Sequence, residues 1–261
     1  MINGIYSSAS GMDAEMVRQD VISNNLANAS TKGFKKDVAV FTAFPNALVQ
    51  RINDRMDNHA GVQAAGHALG VLGHGVQTHA VVTSFTDGSV VKTGNPLDLA
   101  VKGDALFTVE RADGSHAYTR SGNFAMNAEG NLATMNGEQV LGVNDAPINV
   151  NGREVVIDVR GRILVDGSEA GQLQFAAWDP ERFSKMGESL YVKSEPLIEA
   201  KEDVAAYEGT VQQGYLEEAN LKVVEEMVSM ITVMRSYEAN QKAVQMQDET
   251  LGKAVNEVGK I

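Results

Sequence analysis

Four of the chain's five histidines, His59, His67, His74 and His79, crowd into one stretch rich in Gly and Ala. Imidazole is a common metal ligand and the usual proton carrier near neutral pH, so such a cluster raises zinc binding first. The spacing argues against it. Intervals of eight, seven and five residues do not match the tight pairs of common zinc sites, and neither a Cys nor an HExxH accompanies them. The stretch reads instead as a solvated polar loop. Asp113, Ser115 and His116 supply the residue types of a hydrolase triad. They sit side by side without a G-x-S-x-G elbow, and Asp113-Gly114-Ser115 is a hairpin turn by composition. Lys102-Gly103-Asp104 reads the same way. With no G-x-x-x-x-G-K-[ST], no G-x-G-x-x-G and no carboxylate pair that stands out, the expectation is a chain with no catalytic, metal or cofactor-binding residues.

Composition narrows the partners. A net charge of −12 and a pI near 4.9 are the wrong sign for gaining affinity by neutralising phosphates, so nucleic acid is not an expected partner. No apolar run approaches the roughly 20 residues of a membrane-spanning helix, and membrane insertion is not expected. Residues Met1 to Ser10 have neither a basic cluster nor an apolar block, unlike a secretory signal peptide. Cysteine is absent, which removes disulfides and thiolate chemistry and leaves packing or assembly to supply stability.

The strongest periodicity lies at the carboxy-terminal end, where no Gly or Pro occurs between Tyr215 and Leu251. Alternate steps of four and three from Val223 reach Met227, Met230, Met234, Tyr237, Gln241, Val244, Asp248, Leu251, Val255 and Val258. Nine of those eleven positions are apolar. This is a heptad seam, and it predicts a helix of roughly 43 residues, Leu216 to Val258, about 65 Å long. Glu217, Glu218, Glu225 and Glu226 then fall in its first turns, where negative charge complements the helix dipole. A weaker heptad stripe at the amino terminus runs through Ile5, Ala9, Met12, Met16 and Leu26. It closes near Ala29 on the polar stretch Asn28, Ser30, Lys32 and Gly33.

Between these ends, Leu97 to Val101 and Leu106 to Val109 alternate with the period of strands. Asp87-Gly88, Asp113-Gly114, Glu129-Gly130, Asn136-Gly137, Asn151-Gly152 and Asp166-Gly167 punctuate the region as turns. The expected fold class is α+β: long N- and C-terminal helices forming a coiled-coil-like core, with a central antiparallel β-rich domain. The expected organisation is a helix and loop over 1–42, a flexible connector over 43–80, a β-rich domain over 81–214 and a long helix over 215–261.

Specific blocks then carry a resemblance. Asn24-Asn25-Leu26-Ala27-Asn28 followed by Thr31-Lys32-Gly33-Phe34-Lys35 resembles the amino-terminal signature of the bacterial flagellar rod and hook proteins. Gly88 to Gly103 and Tyr118-Thr119-Arg120-Ser121-Gly122-Asn123-Phe124 are similar to that family's β domain. Gly214-Tyr215-Leu216-Glu217, Ala219-Asn220-Leu221, Glu226 to Ile231 and Arg235-Ser236-Tyr237-Glu238-Ala239-Asn240 are similar to its carboxy-terminal end. Within the family the length resembles the distal rod branch most, then the proximal rod. Ala219-Asn220-Leu221 stands where Ser-Asn-Val is usual, and Ala105-Leu106-Phe107 where Gly-Phe-Phe is.

The resemblance implies a non-enzymatic subunit of the basal-body rod, exported by the flagellar type III apparatus without a cleavable signal peptide. It would polymerise with itself, contact neighbouring rod and hook proteins, and transmit torque for motility. The assembly residues this implies are Ile5, Met12, Met16, Leu26, Asn28, Thr31, Gly33, Phe34, Val223, Met227, Met230, Met234, Tyr237, Val244 and Leu251. Gly33 is expected to take φ > 0, and Phe34 to bury its ring against a neighbouring subunit or the long helix.

Overall fold

The computed structural model describes residues 2–44, 47–50, 68–73, 75–179, 182–187, 189–193 and 210–258. It is α+β, with a helix at each end, α1 (Ile2–Ala27) and α2 (Val223–Lys253), and antiparallel strands between them. The backbone packs into two units. One comprises residues 1–23, 38–81 and 227–261; the other comprises 24–37 and 82–226.

In the first unit, α1 and α2 touch along small side chains. A Cβ placed on Gly4 would lie 2.6 Å from Gln247 Oε1, and one on Gly11 would lie 3.0 Å from Asn240 Nδ2. One heptad forward on α1 answers to one heptad back on α2, so the helices run antiparallel where they meet. Glycine allows that close approach because it presents no side chain. The strands Asp37–Ala43 and Val76–Thr83 pair as a ribbon, and Ala47–Gln50 pairs with Ala68–Leu72. Ser10 Oγ accepts from Val76 N at 3.3 Å, tying the ribbon to α1.

These strands occupy part of the stretch 43–80 expected as a flexible connector; residues 51–67 of it lie outside the described residues. His79 lies exposed on a strand, while His59, His67 and His74 fall outside the described residues. β-branched and aromatic residues such as Val76, Val81, Val82 and Phe41 favour the ribbon despite the flanking glycines.

The second unit holds the β core. Ala105–Glu110 pairs with His116–Thr119 and with Phe175–Ala177, and the sheet continues through Gln139–Val140, Leu132–Thr134 and Phe124–Met126 on one side. Leu190–Lys193 and Phe183–Met186 extend it on the other. Leu99, Ala100 and Val101 are buried in succession, as are Ala105 to Val109. The expected in-and-out alternation fails in Ala105 to Val109 because both faces of that strand are covered, one by Phe124, Leu132, Val140 and Phe175, the other by Tyr118, Phe183 and Tyr191. Asp166-Gly167 forms the anticipated tight turn, with φ of 51° and 80° between paired Val165 and Ser168. Asp113-Gly114-Ser115 is likewise a hairpin turn, Asp113 Oδ1 accepting from Ser115 N at 2.9 Å.

The carboxy-terminal helix is shorter than its periodicity predicts. It begins at Val223 rather than Leu216, runs for 31 residues and passes into a π-helical turn, Ala254–Val258. Tyr215–Glu217 is a strand paired with Val90–Lys92, and Thr210–Gln213 pairs with Leu99–Lys102. Glu225 and Glu226 do open the helix, whereas Glu217 and Glu218 precede it. A Gly-free, Pro-free run permits a helix but does not compel one, and the ladder with Val90–Lys92 takes the backbone hydrogen bonds of Tyr215–Glu217 instead.

Candidate assembly site

Three of the sequence blocks meet at one buried charge cluster. Lys35 follows the loop after α1, Arg120 directly follows the strand His116–Thr119, and Glu217 ends the strand before α2. All three are buried. Glu217 Oε1 accepts from Lys35 Nζ at 2.6 Å and from Gly88 N at 2.8 Å, and Glu217 Oε2 accepts from Arg120 Nε at 2.6 Å. Arg120 also donates to the carbonyls of Val101, Gly103 and Ala105, and reaches Asp87 at 3.3 Å. Lys35 donates to Thr86 O at 2.8 Å and lies 4.9 Å from the Phe85 ring centroid. Buried charge is tolerated only when paired and hydrogen-bonded, and here nearly every donor is used.

Ionisation follows from this geometry. Burial opposes the Glu217 carboxylate, but Arg120 and then Lys35 outweigh it and hold its pKa below the usual carboxylate value. Burial lowers the Lys35 ammonium, opposed by its hydrogen bond to Glu217. The carboxylate stays charged because two cations share it.

Around the cluster the backbone is held by asparagines. Asn25 accepts from Asp37 N and donates to Asp37 O, both at 2.9 Å, like a neighbouring strand. Asn220 accepts from Lys36 N at 2.7 Å and donates to Ser84 O at 2.7 Å. Asn28 Oδ1 accepts from Thr31 Oγ1 at 3.1 Å, fixing the turn after α1.

Gly33 takes φ of 68°, as expected, and its N donates to Glu217 O at 2.8 Å. A Cβ there would lie 2.6 Å from the Arg120 carbonyl carbon. Phe34 is fully buried within its own chain beneath Lys185 Nζ, 3.9 Å from the ring centroid, rather than awaiting a neighbour. Gly88, expected in a turn, instead marks a close approach: its Cβ would lie 2.1 Å from Glu218 O. In sequence, Lys35, Arg120 and Glu217 lie inside the family-like motifs; Lys35 and Arg120 carry no expected role there, and Glu217 is expected only to complement the dipole of a helix that in fact starts later, at Val223. The available signal was a charge set inside an otherwise strand-like apolar block, as in Tyr118-Thr119-Arg120 and Tyr215-Leu216-Glu217.

The helices show a second feature. On α2 the less exposed positions include Glu226, Met230, Val233, Tyr237, Asn240, Val244, Gln247 and Leu251, and Val233 is buried. Four of the eleven predicted seam positions lie on this stripe: Met230, Tyr237, Val244 and Leu251. The alternate members are one residue out of register. Met227 and Met234 are 48% and 44% exposed, Val223 is exposed as well, and with Val224 (72%), Val228 (58%) and Ile231 (51%) they form a separate outward apolar stripe. On α1, Ile5, Met12 and Leu26 are half-buried and Met16 is exposed, while Ala14 and Ile22 are the buried apolar residues.

These segments coincide with known families. Residues 5–35 match the family model described as "Flagella basal body rod protein", residues 100–165 the "Flagellar hook protein FlgE/F/G D1 domain", and residues 212–257 the "Flagellar basal body rod FlgEFG protein C-terminal". The chain is 34% identical to the flagellar basal-body rod protein FlgG of Agrobacterium fabrum over 255 residues, 93% of this chain and 94% of that one. It is 32% identical over 278 residues to the flagellar hook-basal body complex protein FlhO of Bacillus subtilis, covering all of both chains. The FlgG of Bacillus subtilis is 30% identical over 275 residues, 98% of this chain and 99% of that one. With similarity of this extent, and with the family's three segments in order, the chain belongs to the FlgG-like family of flagellar basal-body rod proteins, structural subunits of the rod.

Proposed function

We propose that this chain is the distal rod subunit of a bacterial flagellum, polymerising through its terminal helices and transmitting torque. The observation that carries the reading is the division of α2 into two stripes. One faces α1 through Asn240 and Gln247. The other, Val224, Met227, Val228, Ile231 and Met234, is apolar and uncovered in the single chain. An exposed apolar helix face is stabilised by packing on another helix, and methionines suit an adaptable contact. The occupant is a terminal helix of a neighbouring copy, in coiled-coil fashion.

In this reading Ile5, Met12, Met16, Leu26, Met230, Tyr237, Val244 and Leu251 serve the helix pair and its flanks, while Val223, Met227 and Met234 serve the contact between subunits. Asn28, Thr31, Gly33 and Phe34 form the turn by which the chain leaves α1. Neighbouring rod and hook proteins would pack on the same helices. The chain would reach the basal body through the flagellar type III export apparatus. The test is electron microscopy of basal bodies from cells carrying Met234→Asp: rods should be absent or truncated while subunit synthesis is normal. Complete rods in motile cells would refute the reading.

A second reading, a hook-basal body adaptor, is favoured by the full-length match to FlhO. The point at which the axial structure stops in a deletion strain separates the two.

A further inference from the structure

The β unit lacks two of its parts until the chain has passed residue 209. Among the described residues, Leu99–Lys102 has Thr210–Gln213 as its ladder partner, and Val90–Lys92 has Tyr215–Glu217. The rest of the core sheet, from Ala105–Glu110 to Leu190–Lys193, is encoded upstream of both. Lys35 and Arg120 are also upstream, 182 and 97 positions before the carboxylate they share. Without Glu217, two buried cations are left together beside Phe85. Their remaining carboxylate among the described residues is Asp87, which is exposed and 3.3 Å from Arg120. Val211 adds an apolar member to the same core.

We infer that residues 210–217 form a closing latch: the β unit, including the segment Asn24–Asp37, becomes native only when Glu217 docks between Lys35 and Arg120. The physical reason is that a buried, uncompensated charge costs far more than an intact pair contributes, so the cations act as a lock rather than as a source of stability. Because α2 begins at Val223, a few residues beyond the latch, a chain lacking its carboxy-terminal segment cannot present a finished β unit. This is a property of the single subunit and stands or falls independently of the rod reading.

The test is hydrogen exchange on the full-length chain. In the wild type, amides of residues 34–35, 99–102 and 105–110 should open together as one unit. Glu217→Gln should accelerate all three segments by roughly 100-fold, and Val211→Asp, which loosens the same strand through its apolar side, should give the same pattern. Lys35→Met combined with Glu217→Gln should recover about tenfold of the lost protection, because it removes one of the stranded cations. Should Glu217→Gln leave no protected amide, the double variant decides: recovered protection supports the latch, and none overturns it. Acceleration confined to residues 210–220, or damage that adds in the double variant, would also overturn it.

Discussion

Glu217 Oε2 and Arg120 Nε lie 2.6 Å apart across 97 positions of sequence, both side chains buried. The bond joins the strand leading to α2 to the middle of the β unit. Arg120→Met keeps much of the volume and removes the partner. It should cost about 3–5 kcal/mol, the usual effect of stranding one member of a buried pair. Chemical denaturation followed by fluorescence of Trp178, the single tryptophan, reads the loss, because that ring stacks on Phe85 4.1 Å away beside the cluster. A loss below about 1 kcal/mol would show that the pair does not hold the unit together.

Acid should act through the same carboxylate. Burial works against it, but Arg120 and Lys35 hold the native pKa of Glu217 below its ordinary 4.5. The unfolded chain therefore takes up the proton first as pH falls. The stability from Glu217 is complete above its ordinary 4.5 and is lost as pH drops through the depressed native value. Lys35 has the opposite charge but also a lowered pKa, so its contribution rises with pH toward its ordinary 10.5. Denaturation midpoints between about pH 3 and 6 should fall more steeply in the wild type than in Glu217→Gln. Parallel curves would contradict the assignment.

Gly33 and Phe34 should fail for different reasons. Gly33→Val places a β-branched side chain at φ of 68° and against the Arg120 backbone, which neither segment can yield without disturbing the cluster. Phe34→Ala leaves a cavity under Lys185 and should cost about 3–5 kcal/mol. Thermal melts of the two variants check this. Melting temperatures indistinguishable from wild type would place the loop outside the folded core.

Adjacent residues on α2 separate folding from assembly. Val233 is buried, so Val233→Asp should destabilise the isolated subunit by about 3 kcal/mol or more. Met234 is outward, so Met234→Asp should leave the isolated subunit's melt unchanged and abolish incorporation into rods. Equal melting losses from the two substitutions would remove the distinction between the stripes.

Sequence alone determined the α+β class, a helix toward each end and the family. Heptad spacing at the two ends, turn dipeptides in the middle and the Asn24 to Lys35 block are local signals, written in neighbouring residues and readable without a partner. It also placed Gly33 in the left-handed region, because a polar stretch closing on glycine has one common outcome. What it could not decide were matters set by distant parts of the chain. Tyr215–Glu217 had no helix breaker, yet Val90–Lys92 drew it into a ladder and delayed α2 to Val223. The apolar spacing of α2 could not settle whether Val233 or Met234 completes the inward face, since Met230, Tyr237, Val244 and Leu251 belong to the seam under either choice. Gly4 and Gly11 resolved it by admitting Gln247 and Asn240. Lys35, Arg120 and Glu217 look like ordinary charges in their own segments. Only the tertiary structure brings them within hydrogen-bonding distance and removes the water that would otherwise have solvated each one separately.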